Sequence, residues 1–309
     1  MQFRHLRYFV KIVEAGSFSR AAALIHIAQP ALSKQIAELE DEFGVTLLHR
    51  SARGVTPTAA GDVLYHEAIK LIRQVDDLPG IVRSSQGDIQ GVVCFGMAST
   101  MAPALTGKMM EICKSTLPKV TLRFVTGDSQ TLREKVAART IDLAIVFENT
   151  PETGFTREVL FRQRLYLASR KQGKSAKSTS LAEINRLPLM LPTPTNVLRR
   201  ALDRELAAVG LQAEPIAESD LFDVVLSAVE TGLGHAVLPK ADFSDMPAHK
   251  DIVTVPIEPP IYLTACIISA RDKPLTRAAA AVESQLTSFI RSQVGESAFK
   301  GVEWVDAEP

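Results

Sequence analysis

The sequence predicts a two-part chain: an all-α winged helix-turn-helix unit with a long linker helix, then an α/β domain. Three observations carry that reading. Short helical patterns with sharp breaks fill residues 1–43, an apolar seam stepping by three and four runs over 61–82, and beyond residue 88 apolar strands alternate with amphipathic helices. The 309 residues suffice for two or three domains with ample core.

Composition narrows the function classes. Lys and Arg number 35 and so do Asp and Glu, so no whole-chain basic field attracts a nucleic acid or membrane, and any such contact must be local. A 46% hydrophobic and 23% charged chain is globular in type, which excludes extended disorder, collagen and a membrane bundle. The longest charge-free window, Ile89 to Gly107, is broken by Gly91, Gly96 and Pro103, and the first residues lack the apolar stretch of a secretory signal. A cytoplasmic chain with no membrane partner is expected. Cys94, Cys113 and Cys266 lie far apart, which favours buried reduced thiols over disulfides or a zinc site.

Leu6, Phe9, Val10 and Val13 form one stripe of a helix that ends near Gly16. Ser17 offers an N-cap to a short alanine-rich helix that breaks at Ile27-Ala28. Gln29 and Pro30 open a third helix, running to about Phe43 and stopped by Gly44, with Leu32, Ile36, Leu39 and Phe43 on its core side. The outward face of its first two turns carries Gln29, Pro30, Ala31, Ser33 and Lys34, small, polar and free of acid. In a helix-turn-helix the second helix enters the major groove by its N-terminal residues. Small side chains permit close approach there, Gln29 can bridge an adenine edge, and Lys34 can reach guanine or phosphate. Leu47-Leu48 and the basic run His49 to Gly54 read as a wing whose Arg50 or Arg53 meets the backbone or minor groove. The competing reading is an alanine-rich three-helix bundle with one polar exposed turn.

Thr58, after Pro57, caps the linker helix. Gly61, Leu64, Ala68, Leu71, Val75, Leu78 and Val82 form a heptad seam, which makes Leu64, Ala68, Leu71, Val75 and Leu78 candidate dimerisation residues. The alternative is a helix packed on its own domain. Pro79-Gly80 removes the N–H that would bond residue 75 and predicts a kink or an early end. The expected domains are therefore 1–57, 58–88 and 89–309.

In the last of these, strands are expected at Gly91–Gly96, Lys119–Val125 and Ile141–Phe147, with helices Pro103–Thr116 and Ser129–Arg139 between them. A second series comprises strands Arg164–Ser169 and Leu187–Leu191, helices Thr195–Val209 and Asp220–Thr231, and strands His235–Leu238 and Tyr262–Ile268, closed by a helix Leu275–Arg291. Parallel sheets covered on both faces bind ligands at strand C-termini and helix N-termini. No G-x-S-x-G elbow, H-E-x-x-H helix, P-loop or Rossmann fingerprint occurs and the six histidines are scattered, so no enzyme, cofactor or metal site is expected. Asp128 and Glu148 could be an acid–base pair, ligand acceptors or solvated loop charges. His235 reads as either a core or a cleft histidine.

The stretches Phe3 to Phe9, Gly16-Ser17-Phe18, Ala21-Ala22, Gln29 to Ile36, Leu39-Glu40, Leu47 to Arg50, Thr56-Pro57-Thr58 and Ala60-Gly61 resemble the LysR-type transcriptional regulators over about a fifth of the chain. Tyr8 to Val13 and His26 to Ser33 look closest to the nitrogen-assimilation-control branch. Ile141 to Ile145 and Gly232 to Pro239 are similar to the family's effector domain.

The resemblance implies a winged helix-turn-helix bound to a double-stranded operator or promoter, a linker-helix homodimer assembling to a tetramer, and RNA polymerase as a partner. It also implies an effector domain of two lobes folded like a periplasmic binding protein, lobe I about 89–162 and 268–297 and lobe II about 163–267. In that fold Ser99 and Thr100 face Thr193, Thr195 and Asn196 across a cleft, with Phe147 as a wall and Asp128 and His235 close by. Helix N-termini and hydroxyls would hold a small anion effector, a monocarboxylate or a sulfate-like ion, unless these residues are merely N-caps. Two further readings stay open: an effector-independent DNA-binding regulator, and an α/β enzyme carrying a DNA-binding module.

Overall fold

The computed structural model describes residues 1–52, 54–84, 89–148, 153–171, 176–239, 251–295 and 302–303. It divides into two compact units, Met1–Val82 with Ala138–Thr140, and Arg83–Ala137 with Ile141–Pro309. Among the described residues no helix is long and apolar enough to cross a membrane.

The first unit begins with helices α1 (Phe3–Ala15), α2 (Phe18–Leu24) and α3 (Gln29–Phe43). Gly16 and Gly44 end α1 and α3 in the left-handed region, and Ser17 Oγ accepts the Arg20 N–H at 3.4 Å. Leu6, Phe9 and Val10 of α1 and Leu32, Ile36 and Leu39 of α3 are buried as their periodicity required, while Val13 is half-buried and Ile12, outside the expected stripe, is fully buried. Phe43 is the exception: it is 45% exposed, because the stripe continues one turn beyond the core it packs on. The wing is a hairpin of β1 (Leu48–Ser51) and β2 (Gly54–Pro57), with Leu48 opposite Pro57 and Ser51 opposite Gly54. Arg53 lies outside the described residues.

Helix α4 (Ala59–Ser84) starts at Thr58, whose Oγ1 accepts the Gly61 N–H at 3.0 Å. Gly61 is required there, since a Cβ would stand 2.0 Å from the Leu47 carbonyl oxygen. The expected early end at Pro79-Gly80 is corrected: the helix runs through to Ser84. Pro79 lies on an exposed side, where water can take the carbonyl that its missing N–H leaves unbonded.

The second unit opens with β3 (Gly91–Ala98), α5 (Ala102–Thr116), β4 (Val120–Gly127), α6 (Ser129–Ala137) and β5 (Leu143–Glu148). Next come β6 (Phe155–Arg170), β7 (Thr179–Ser180), α7 (Leu181–Ile184), β8 (Leu189–Leu191), α8 (Val197–Ala208), β9 (Pro215–Glu218), α9 (Phe222–Glu230) and β10 (Ala236–Pro239). It closes with β11 (Ile252–Glu258), β12 (Tyr262–Ala270), α10 (Arg277–Gly295) and β13 (Val302–Glu303). A nine-stranded sheet among the described residues has the order β4-β3-β5-β12-β6-β11-β7, with β10 and β13 also on β6, and β8 pairs β9.

Only part of this sheet is parallel, as β4-β3-β5 is; β12 runs antiparallel to both β5 and β6. The 16-residue β6 bonds to β12 along Phe155–Arg164 and to β11 along Tyr166–Arg170, so one strand ties both βα series into one unit. The core between sheet and helices joins Phe95, Met97 and Ile145 to residues of α5, α8 and α10. Cys113 and Cys266 are buried and Cys94 is half-buried; none of the three forms a disulfide.

Candidate functional site

Two sites can be described, each within one unit. In the first unit the N-terminal face of α3 presents Gln29, Pro30, Ala31 and Lys34 as exposed and Ser33 as half-buried. Its N-cap, Ala28, gives no side-chain bond to the first-turn N–H groups, which stay available to a phosphate oxygen. Lys34 stands 3.8 Å from Glu38, an exposed pair worth little, so its charge remains usable.

Arg50 is held more firmly than expected. Its Nη1 donates to Ser33 Oγ at 3.0 Å, its guanidinium lies 4.5 Å over the Phe18 ring, and Nη2 is 4.0 Å from Glu40. Glu40 Oε1 in turn accepts the N–H groups of Leu47 (2.8 Å) and Leu48 (3.1 Å). The wing is thus braced against α3 by a carboxylate that sequence reasoning had counted only as one of several late acids. The signal was its i+7 and i+8 distance to two amides at the start of the wing, which periodicity does not reveal.

The seam of α4 splits in two. Ala68 is fully buried against Leu6 and Val10 of α1, with Leu64 half-buried beside it, so these two serve their own unit. Leu71 (44%), Val75 (40%) and Leu78 (51%) are exposed, as are Val63, Ile81 and Val82.

In the second unit a cavity of about 50 Å3 gathers Ser99, Thr100, Asp128, Phe147 and Asn196, five of the eight residues expected at an effector site. Ser99 and Thr100 follow β3, Asp128 follows β4, and Asn196 caps α8 by accepting the Leu198 N–H at 3.0 Å. Ser129, Ser219, Asp220 and Phe222 line it as well and were missed, Asp220 because it read as the opening of a helix. Burial alone would raise the Asp128 pKa, but hydrogen bonds from the Thr131 hydroxyl and from the Thr131 and Gln130 amides outweigh it and hold the carboxyl below the ordinary range.

Three expected residues do not line the cavity. Thr193 and Thr195 stand behind it, the Thr193 hydroxyl 3.1 Å from that of Thr195 and donating to Asp220 at 2.7 Å. His235 is placed by backbone bonds to Pro188 and Met190, with its Nδ1 2.6 Å from Ser169 Oγ, and burial pushes its pKa down. Glu148 is buried, ion-paired with Arg157, and does not line the cavity with Asp128. Burial, then the Glu148 carboxylate, raise the Cys266 thiol far above its ordinary pKa and keep it protonated. Among the described residues no group of His, Cys, Asp and Glu could hold a metal ion.

Residues 3–62 match the family model described as bacterial regulatory helix-turn-helix protein, lysR family, and residues 86–290 match the LysR substrate binding domain. The chain is 35% identical over 244 residues to the nitrogen assimilation regulatory protein nac of Klebsiella aerogenes, covering 78% of this chain and 79% of that protein. It is 34% identical over the same length to nac of Escherichia coli (strain K12), with the same coverage. Among solved structures, full-length CbnR complexed with its target DNA superposes with a TM-score of 0.71 at 20% identity, covering 94% of this chain and 99% of that one. An N-terminal helix-turn-helix, a C-terminal substrate-binding domain and relatives that are regulators rather than enzymes agree, and the chain belongs to the LysR family of DNA-binding transcriptional regulators.

Proposed function

We propose that two copies pair through the exposed part of the α4 seam, Leu71, Val75 and Leu78, and present two α3 helices to an inverted-repeat operator, with dimers assembling to tetramers. The observation that carries the DNA contact is the acid-free exposed face of Gln29, Pro30, Ala31 and Lys34 at the start of a helix whose first N–H groups are uncapped. Lys34 and the α3 amides bind phosphate or guanine, Gln29 and Ser33 read base edges, and Arg50 serves mainly as the brace that fixes Ser33 and the wing. Such a protein works in the cytoplasm, where its DNA is, and acts on RNA polymerase at the promoter. The likeness to nac supports nitrogen-assimilation promoters as targets. The cavity between the two βα series of the second unit receives the effector.

The test uses the full chain and an operator selected from random duplexes. Lys34→Ala should weaken binding and reduce the salt slope by about one unit if it pairs a phosphate. Gln29→Ala and Ser33→Ala should change which bases are preferred. Unchanged affinity, slope and preference in all three would refute the assignment.

A further inference from the structure

The cavity's hydrogen bonding favours a charge opposite to that of the expected anion. Asp128 and Asp220 both line it, and among the described residues its lining contains no Lys, Arg or His. Several donors that would serve an anion, the amides at the start of α6 and the Thr193 and Asn196 side chains, are already engaged by these carboxylates. Asp128 Oδ1 accepts the N–H groups of Gln130 (2.9 Å) and Thr131 (3.0 Å), and Oδ2 accepts the Thr131 hydroxyl at 2.5 Å. Asp220 Oδ1 accepts the Thr193 N–H (3.2 Å) and Asn196 Nδ2 (3.0 Å), and Oδ2 accepts the Thr193 hydroxyl at 2.7 Å. A carboxylate offers roughly four lone-pair sites; Asp128 also takes its own backbone N–H and is filled, whereas Asp220, with three donors, has one acceptor site open.

Two guanidiniums touch the lining without belonging to it. Arg133 donates to the Phe147 carbonyl at 2.8 Å, and Arg199 donates to the Pro192 carbonyl at 3.1 Å while paired with Asp203 and Glu218. Independently of the carboxylates, Thr100 Oγ1 is buried at the cavity without a hydrogen-bond partner, a vacancy that a polar ligand would fill. A volume of about 50 Å3 restricts that ligand to a few heavy atoms.

We infer that the cavity binds a small organic ammonium ion, an N–H donor on the open acceptor site of Asp220, its charge also facing the Asp128 carboxylate, and an adjoining hydroxyl on Thr100. This rests on the reading of the cavity as the effector site. The ammonium brings positive charge to two carboxylates, whereas an anion would face them with no cation among the described lining residues to offset them.

The experiment is a thermal-shift and calorimetric titration of the full chain with ethanolammonium and methylammonium chlorides, against sodium acetate, sulfate and chloride at matched ionic strength. The ammonium salts should raise the melting temperature by at least ~2 °C at saturation and the sodium salts should not. Asp128→Asn, which keeps a capping oxygen, and Asp220→Asn should each weaken ethanolammonium binding at least tenfold, and Thr100→Val should narrow its preference over methylammonium. If Asp220→Asn unfolds, Asp128→Asn decides. Stabilisation by acetate or sulfate that Thr100→Val removes would overturn the ammonium while leaving the cavity as an effector site. No shift with either ammonium salt would overturn the inference alone, since operator binding tests the regulator separately. Ammonium binding that survives all three variants would overturn both the inference and the cavity as the site.

Discussion

Replacing Glu40 with alanine should detach the wing from α3. Glu40 is 18% exposed, and its Oε1 holds the Leu47 and Leu48 amides at 2.8 and 3.1 Å. Hydrogen bonds to a charged acceptor contribute about 1.5–3 kcal/mol each, and the partial solvation of this carboxylate places the pair toward the low end, roughly 2–4 kcal/mol together. The Arg50 contact at 4.0 Å adds at most about 1 kcal/mol. For a unit of this size, such a loss lowers the melting temperature by on the order of 10–20 °C. The sharper readout is amide hydrogen exchange over residues 45–57, where protection of Leu47 and Leu48 should fall by roughly 30- to 1,000-fold if their opening is governed by these bonds. Glu40→Gln keeps a carbonyl acceptor without the charge and should lose about half as much. Wild-type protection of both amides in a folded Glu40→Ala protein would refute the reasoning.

Three other perturbations follow from single contacts. Gly61→Ala puts a Cβ 2.0 Å from the Leu47 oxygen and 3.1 Å from the Pro57 Cβ, so α4 or the wing must move. A loss of more than about 2 kcal/mol in a denaturant titration is expected, and a neutral result would contradict the packing. Leu71→Asp should yield monomers or aggregates in light scattering, whereas Ala68→Leu should overpack Leu6 and Val10 and destabilise the first unit directly; a wild-type oligomer in Leu71→Asp would make the exposed seam irrelevant to pairing. Burial holds the folded His235 below its ordinary pKa, so the unfolded chain takes up this proton first as the pH falls. Stability is therefore lost from the ordinary imidazole range downward, and His235→Gln should flatten that part of a stability–pH curve, which an unchanged slope would disprove.

The parts of the structure that depend on local periodicity and backbone punctuation were legible in the sequence. Gly16, Pro30 and Gly44 bound α1 and α3 as expected, because a left-handed residue stops a helix and a proline opens one without help from the rest of the fold. Strand β6 was legible only over Arg164–Ser169: Arg157, Glu158 and Arg162 interrupt its apolar pattern, and it is a strand along its first half because β12 lies beside it. The left-handed turn at His26, at φ 56, was equally hidden, since nothing in a histidine asks for it.

Polar partner choice was the least legible feature, and it bears most directly on function. Thr193 and Asn196 were expected to offer donors to an anion; of the two only Asn196 lines the cavity, and Asp220, 27 and 24 residues away in sequence, takes donors from both. Asp128 does the same at the start of α6. A helix N-terminus attracts whichever anion reaches it first, and in a folded chain that anion is often a carboxylate of the same molecule, with no desolvation of a free ligand to offset. With both occupied from within, two negative charges remain at the cavity, and the ligand proposed for it is a cation rather than an anion.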